Sequence, residues 1–376
     1  MQLSSLQENL KQGISIVGHI AGKNINLPIL NNILLETKDG NIKMVATNLE
    51  VGVICRVRGK ILEDGIFTVD AKIFNDYISL LPNKKINIKK NNNKLEIESD
   101  NYKTKISIQG AEDFPLIPVV EKKEFYSAKI NDLKKAISQV IFAVSVSETR
   151  IELTGVFFDF FENKLILVAT DSYRLAEKVI EIKNNSNNKN RVIIPAKTLQ
   201  ELNRIINNTK DNDFSDEEVG EIKFYISENQ IMFSFGNIEL VSRLIDGQYP
   251  DYKQIIPTQN KTRAVVNKNE LIRAVKVAAL FSKTGINDIN LDFPKDRGMI
   301  VISAASGQSG ENITELEANV NGDDNGIVVN YRYLIDGLNN IDNENIKIET
   351  IDSNTPCIIK SEKEDNYLYI VMPIRQ

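Results

Sequence analysis

Two stretches of this chain read as one strand–turn–strand written twice. They are Met44-Val45-Ala46-Thr47-Asn48-Leu49-Glu50-Val51 and Leu167-Val168-Ala169-Thr170-Asp171-Ser172-Tyr173-Arg174-Leu175-Ala176. Thr47 and Thr170 stand 123 positions apart. A repeat of that length constrains the fold more than any local motif, because each copy must build the same unit and find the same kind of neighbour.

Apolar periodicity extends the repeat to the whole chain. In the first round a helix is predicted over 2–20, with Ser5 and Glu8 at capping-box spacing and Leu6, Leu10, Gly13, Ile14 and Val17 on one face. Strands follow at 29–37, Asn41–Thr47 and 51–58, the first two turned by the hairpin signal Asp39-Gly40. Asp70 reads as the N-cap of a short helix carrying Ile73, Phe74, Tyr77, Ile78 and Leu81. Strands at 86–90, 94–99 and 103–108 then run to Asp113-Phe114-Pro115.

The second round restarts at Phe125. Asn131 is expected to cap a helix with Leu133, Ala136, Ile137, Val140, Ile141 and Val144 at helical spacing. Strands 153–160, 164–170 and 174–181, a polar loop at 183–190 and a short helix opened by Pro195 come next. Three more strands lead to Gln248-Tyr249-Pro250. The third round begins at Arg263, with Asn267 and Glu270 at cap spacing, three strands, a short helix capped by Asn330, and three closing strands. The lead-ins to the short helices align as Thr68-Val69-Asp70, Ile193-Ile194-Pro195 and Val328-Val329-Asn330. The expected architecture is therefore α+β: three repeated domains, 1–122, 123–260 and 261–376, each with two helices packed on antiparallel sheet. Such units join through outer strands, and an open array leaves two unpaired edges. Closing a ring with a second chain removes both; the repeat alone leaves open a ring, an open three-domain array and an enzyme with a repeated scaffold.

Composition narrows the function classes. A hydrophobic fraction of 42%, a charged fraction of 26% and no apolar run long enough to span a bilayer predict an ordinary soluble chain. No secretory signal is read at the N-terminus, and Cys55 and Cys357 offer no disulfide framework, so a reducing cytoplasm is expected. Net charge is −5, yet the six predicted helices hold ten basic and seven acidic residues, a small positive excess that could face phosphates without reading bases. His19, the one histidine, has no partner at triad or zinc spacing, and Gly307-Gln308-Ser309-Gly310 lacks the lysine of a phosphate loop. The expectation is a non-catalytic protein with no cofactor and no metal.

Five segments, in order and across all three rounds, resemble the bacterial β sliding clamp family, the processivity subunit of the replicative DNA polymerase. They are Leu27-Pro28-Ile29-Leu30-Asn31-Asn32, Ala46-Thr47-Asn48-Leu49-Glu50, Ala169–Ala176 (numbers 169–176), Leu244-Ile245-Asp246-Gly247-Gln248-Tyr249-Pro250-Asp251-Tyr252, and Tyr369-Ile370-Val371-Met372-Pro373-Ile374-Arg375. The resemblance implies three DNA-clamp domains and a head-to-tail homodimer forming a six-domain ring, lined by helices and threaded by double-stranded DNA without sequence preference. It implies as partners the polymerase catalytic subunit, a clamp-loader complex and other clamp-binding replication and repair proteins, and no membrane.

Carried over residue by residue, the resemblance places a peptide-binding pocket at Leu153, Thr170, Tyr173, Arg174, Leu175, Pro250, Ile255, Asn330, Tyr333, Ile370, Met372, Pro373, Ile374 and Arg375. Their chemistry suits that role, because apolar side chains with an adaptable Met can hold a Leu or aromatic anchor. DNA-facing positions are expected at Lys23, Asn24, Arg150, Lys197 and Arg204. The dimer seam is expected on the edge strand 103–108, through Lys103, Ile106 and Ile108, against Leu280 and Phe281 of the third round. The chain departs from the family at Ser172-Tyr173, where Gly-His is common, and at Gln254, Pro356 and Gln376. The alternative reading is a repeat-built protein-binding adaptor that never encircles DNA.

Overall fold

The structure, a computed structural model, describes residues 1–22, 25–185, 189–209 and 220–375. Six α-helices punctuate it: α1 (Gln7–Val17), α2 (Ala71–Leu80), α3 (Ile130–Val140), α4 (Ala196–Asn208), α5 (Lys268–Ala279) and α6 (Tyr331–Asn339). Each is entered directly from a strand: Gln2–Leu6, Gly65–Asp70, Phe125–Lys129, Arg191–Pro195, Thr262–Asn267 and Asn325–Asn330. The repeat is therefore finer than the sequence suggests. Each round holds two strand–helix–three-strand units, and the lead-in strands are what the helical periodicity hides.

Several local expectations shift for that reason. Residues 2–6 are strand, since Leu3 is buried while Ser5 spends its hydroxyl on the Arg58 carbonyl at 2.5 Å, so no capping box forms and the N-cap is Leu6. Asn131 lies inside α3, and Pro195 ends a strand instead of opening α4. Pro28–Asn31 is a 3-10 turn, and Lys183–Asn185 forms a short strand within the expected loop. Asp70, Asn267 and Asn330 do cap, accepting from Ile73, from Asn269 and Glu270, and from Arg332. Asp39-Gly40 turns its hairpin with both residues at positive φ (50° and 78°), as a type I′ turn requires.

The chain divides into two compact units. The first holds Met1–Asn131, Ile182–Asn188 and Lys197–Leu244; the second holds Asp132–Glu181, Lys189–Ala196 and Ile245–Gln376. Each is organised on one continuous antiparallel sheet, of 14 strands in the first and 12 in the second. The second round contributes to both, because strands pair across round boundaries. In the first unit Val51–Val57 pairs with Ile238–Arg243, and in the second Arg174–Glu181 pairs with Tyr367–Val371. Both pairings join the third strand after a round's first helix to the last strand of the next round.

Within the first unit, strand alternation sends Met44 toward Gly13 of α1, while Val45 and Ile54 turn the other way onto Phe114 and Ile117 of the connecting segment. Helices thus cover one face of the sheet and a linker straps the other. Beside that strap Glu239, whose side chain is 10% exposed, pairs with Arg56 at 2.9 Å and Lys122 at 2.8 Å. Burial pushes its carboxyl up, but Lys122 and Arg56 outweigh burial and hold it below the ordinary 4.5. A depressed folded value means that this stabilisation is present above pH 4.5 and is lost as pH falls through the lowered value. Thermal melts of Glu239→Gln are accordingly expected to lose less stability below pH 4.5 than the wild type; parallel losses would contradict the pairing.

The expected seam strand is Tyr102–Gln109. It pairs along its length with Lys94–Ser99 and, on its other side, only through Ile108 and Gln109 with Val69 and Thr68. Its stretch 102–107 is therefore an open edge among the described residues. Ile106 and Ile108 are 8% and 6% exposed and face their own core, so any pairing along this edge would run through backbone and not through those side chains. Leu280 is 72% exposed just past α5, and the ring of Phe281 lies over Gly310 at the start of Gly310–Gly322.

Candidate functional site

The two copies of the opening repeat are the same turn, held by matching side-chain hydrogen bonds. In the first unit the Thr47 hydroxyl donates to the Val51 carbonyl at 2.9 Å and accepts from the Leu49 amide at 3.1 Å, while Asn48 Oδ1 accepts from the Glu50 and Val51 amides. In the second unit the Thr170 hydroxyl donates to the Arg174 carbonyl at 2.6 Å and accepts from the Ser172 amide at 3.1 Å, and Asp171 Oδ1 accepts from the Tyr173 and Arg174 amides. Leu49 and Ser172 sit at φ +78° and +79°, left-handed conformations that favour glycine. Ser172→Gly is expected to stabilise the chain by about 1 kcal/mol, read as a later denaturant midpoint; an earlier midpoint would show that the turn carries no such strain.

What the second turn holds sets it apart from the first. Arg174, with a side chain 12% exposed, donates from Nε to Asp171 at 3.0 Å, from Nη1 to Asp336 of α6 at 2.5 Å and from Nη2 to the Phe142 carbonyl at 2.8 Å. Its guanidinium also lies over the rings of Tyr333 (4.7 Å) and Phe142 (5.5 Å). Tyr173 stacks on Tyr333 at 6.4 Å, and the Met372 amide donates to the Tyr173 carbonyl at 2.9 Å. One planar cation and a stack of rings thus tie the turn, α6 and the C-terminal strand together.

On the other face of the same strand, Leu153, Leu175 and Ile370 are 2%, 0% and 0% exposed and pack with Val168, Tyr249 and Tyr252. Register places Leu175 opposite Ile370 and Arg174 opposite Val371. The expected pocket residues therefore fall into two groups. Leu153, Leu175 and Ile370 form a closed floor, with Met372, Pro373 and Ile374 half-buried beside it and Tyr173, Ile255 and Arg375 exposed. Arg174 and Tyr333 sit on the helix side and position the turn. Asn330 serves as the cap of α6, Ile374 donates to the Val328 carbonyl at 2.8 Å, and the Pro250 carbonyl accepts from Tyr252.

Sequence reasoning leaves out the two tyrosines that complete the floor. Tyr249 stacks on Phe157 at 4.9 Å, and Tyr252 donates to Glu177 at 2.6 Å. Burial raises both phenols, Tyr252 further through Glu177. Their spacing beside Pro250 is the available signal. Asp336, which completes the Arg174 cluster, carries none, because its partner is 162 residues away.

The expected DNA-facing residues are not alike. Lys23 and Asn24 lie outside the described residues. Lys197 is exposed on α4, and Arg150 is exposed with donors on Glu152 and Ser172. Arg204 is committed elsewhere: it donates to Glu201, to the Ser15 carbonyl at 3.1 Å and to the Ile16 carbonyl at 2.8 Å. It ties α4 to the C-terminus of α1, where a cation suits the helix dipole. The same buried Glu201 lies 2.7 Å from His19 Nδ1, so the histidine has a partner that its sequence neighbourhood does not show. Among the described residues no group of three His, Cys, Asp or Glu side chains could hold a metal ion, and no helix is long and apolar enough to cross a membrane.

Fold and site together define a class: repeat-built α+β proteins of continuous antiparallel sheet, helices on one face and a linker strap on the other. The descriptions "DNA polymerase III beta subunit", N-terminal, central and C-terminal domain, match residues 1–118, 128–251 and 253–375. The beta sliding clamp of Staphylococcus epidermidis is 32% identical over 359 residues, covering 93% of this chain and 92% of that protein. Among solved structures, a DNA polymerase III beta subunit from Eubacterium rectale superposes with a TM-score of 0.90 at 31% identity, covering 100% of this chain and 99% of that one. The Pseudomonas aeruginosa sliding clamp bound to griselimycin gives 0.91 at 27% identity with both chains fully covered. This chain belongs to the DNA polymerase III beta subunit family, the bacterial sliding clamps, which are non-catalytic processivity factors.

Proposed function

We propose that two copies of this chain close head to tail into a ring of six domains, 1–122, 123–260 and 261–376 from each, that encircles duplex DNA and tethers the polymerase to it. The observation that carries the reading is the use of strands. Val51–Val57 pairs with Ile238–Arg243 and Arg174–Glu181 with Tyr367–Val371. The corresponding third-strand and last-strand positions left over are Gly310–Gly322 and Tyr102–Gln109. Each keeps an open edge among the described residues: Gly310–Gly322 pairs on one side with Met299–Ser306 and on the other only through 318–322. A second copy offers each of these two edges its missing mate.

In this reading the surface of Tyr173, Ile255 and Met372, over the floor of Leu153, Leu175 and Tyr249, receives peptides from the polymerase catalytic subunit, the clamp loader and other replication and repair proteins. Contacts to DNA, through residues such as Lys197 and Arg150, are few and phosphate-directed, because tight binding would stop sliding. A soluble chain working on chromosomal DNA belongs in the cytoplasm. Polymerase stimulation by Met372→Ala tests the pocket and is expected to fall sharply with the dimer intact. Leu175→Ala is a poorer probe, since emptying a fully buried leucine costs about 2–5 kcal/mol of stability by itself. Unchanged stimulation by the Met372 variant would remove that surface from the function.

A further inference from the structure

The first unit carries the same turn as the proposed pocket, and a groove of about 330 Å³ lies against it. Thr47, Leu49 and Glu50 form one wall, the connecting segment Pro115-Leu116-Ile117-Pro118 another, and Val241 and Arg243 close the end. The connecting segment is held with a period of three. Phe114 and Val120 are buried and Ile117 half-buried, while Leu116 and Val119 between them are each 94% exposed. Leu49, 49% exposed on the opposite wall, and Leu116 put two large apolar side chains in water around one concavity. The floor is shallow, because Ile117 fills the space over Gly52: a Cβ there would stand 2.6 Å from its Cδ1. At the groove's end, Arg243 and Glu50 are both exposed, and among the described residues neither side chain has an ion pair or hydrogen-bond partner.

We propose that this groove is a second docking site, taking an extended peptide of a partner protein that sets an apolar side chain between Leu49 and Leu116 and an acidic one on Arg243. The inference extends the reading of the 170–175 surface as a peptide site. It differs in ligand chemistry: the second-unit turn spends its arginine internally on Asp171 and Asp336, whereas here the guanidinium is available. A carboxylate would gain a charge-assisted hydrogen bond from it, and burying exposed leucine surface supplies the remaining drive. Glu50, whose carbonyl already accepts from the Arg243 amide at 3.0 Å, places a negative charge close by and should weaken the same peptide.

The test uses the full chain and a fluorescein-labelled synthetic octapeptide of alternating Leu and Asp, with a Leu–Lys octapeptide as the charge control. Anisotropy titration is expected to show two peptides bound per chain, falling to one in a Tyr173→Ala, Ile255→Ala, Met372→Ala chain. In that triple variant Arg243→Glu should weaken the remaining site about tenfold or more, the scale of one charge-assisted bond. Glu50→Lys should tighten it, and the Leu–Lys peptide should bind poorly. One peptide per chain, lost entirely in the triple variant, would overturn this site and leave the proposed pocket standing. One peptide lost only on Arg243→Glu would do the reverse. Binding indifferent to both charge reversals would overturn the proposed recognition.

Discussion

Lys105→Pro is expected to leave the chain folded and to weaken the proposed pairing with a second copy about a hundredfold. The Ile108 amide donates to the Asn93 carbonyl, toward the neighbouring strand. Strand alternation puts the amides of 106, 104 and 102 on that side and those of 103, 105 and 107 on the open edge. Proline at 105 therefore removes an outward donor and projects its ring toward any incoming strand, while every ladder bond within the chain survives. The lost Lys105–Glu96 pair at 2.8 Å is exposed and contributes little. A blocked ladder position costs about 3 kcal/mol, roughly a hundredfold in dimer dissociation constant. Sedimentation over a concentration series should show the dimer dissociating at about hundredfold higher concentration than the wild type, with an unchanged circular dichroism spectrum and weakened polymerase stimulation. A dimer of wild-type affinity would move the seam elsewhere.

The second large effect is expected at Gly337. A Cβ there would stand 2.1 Å and 2.2 Å from the Tyr369 ring, and that ring has nowhere to go. Tyr369 is fully buried, donates to the Tyr333 carbonyl at 2.7 Å and packs on Phe142 at 5.6 Å. Gly337→Ala must displace α6 or the ring, at about 3 kcal/mol. Because Tyr369 lies on the strand that carries Ile370 and runs into Met372, the displacement should also weaken peptide binding at the proposed pocket. Two companions separate the causes. Tyr369→Phe loses only a hydroxyl bond, about 1 kcal/mol. Tyr369→Leu in the Gly337→Ala background should recover part of the loss by vacating the space. Equal stability of Gly337→Ala and the wild type in urea would contradict the packing.

The parts of this account that were legible in the sequence are those fixed by local chemistry. The turn Thr170-Asp171-Ser172 announces itself by residue type, because a hydroxyl and a carboxylate two and three residues ahead of free amides form that turn wherever they occur. The caps at Asp70, Asn267 and Asn330 are legible on the same ground. Strands that run straight into helices were hidden, since the apolar residues of Gln2–Leu6 also satisfy a helical period and a capping box could be read through Ser5 and Glu8. Partnerships across long sequence distances were not legible at all. Nothing near Arg174 points to Asp336, nothing near Arg204 points to the carbonyls ending α1, and Gly337 gives no sign that Tyr369 fills its space. Alternation shows one face of strand 103–108 to be apolar but cannot say that the strand's own core takes Ile106 and Ile108. The pocket residues came from family resemblance, and the structure divides them into a buried floor on one face of the sheet and an arginine-centred clamp on the other.

The proposed link to DNA is topological: two chains closed around a duplex. The direct measurement loads the protein, with its clamp loader and ATP, onto nicked circular DNA, isolates the complex by gel filtration, and then cuts the circle once. A ring held by encirclement must stay on the circle at salt that screens phosphate contacts and must leave promptly once ends exist. Retention on the circle, loss on linearisation, and much poorer retention of Lys105→Pro on the circle are expected. Protein that remains on the linear DNA, or that leaves circle and linear DNA alike as salt rises, would contradict encirclement and favour an adaptor that binds without encircling.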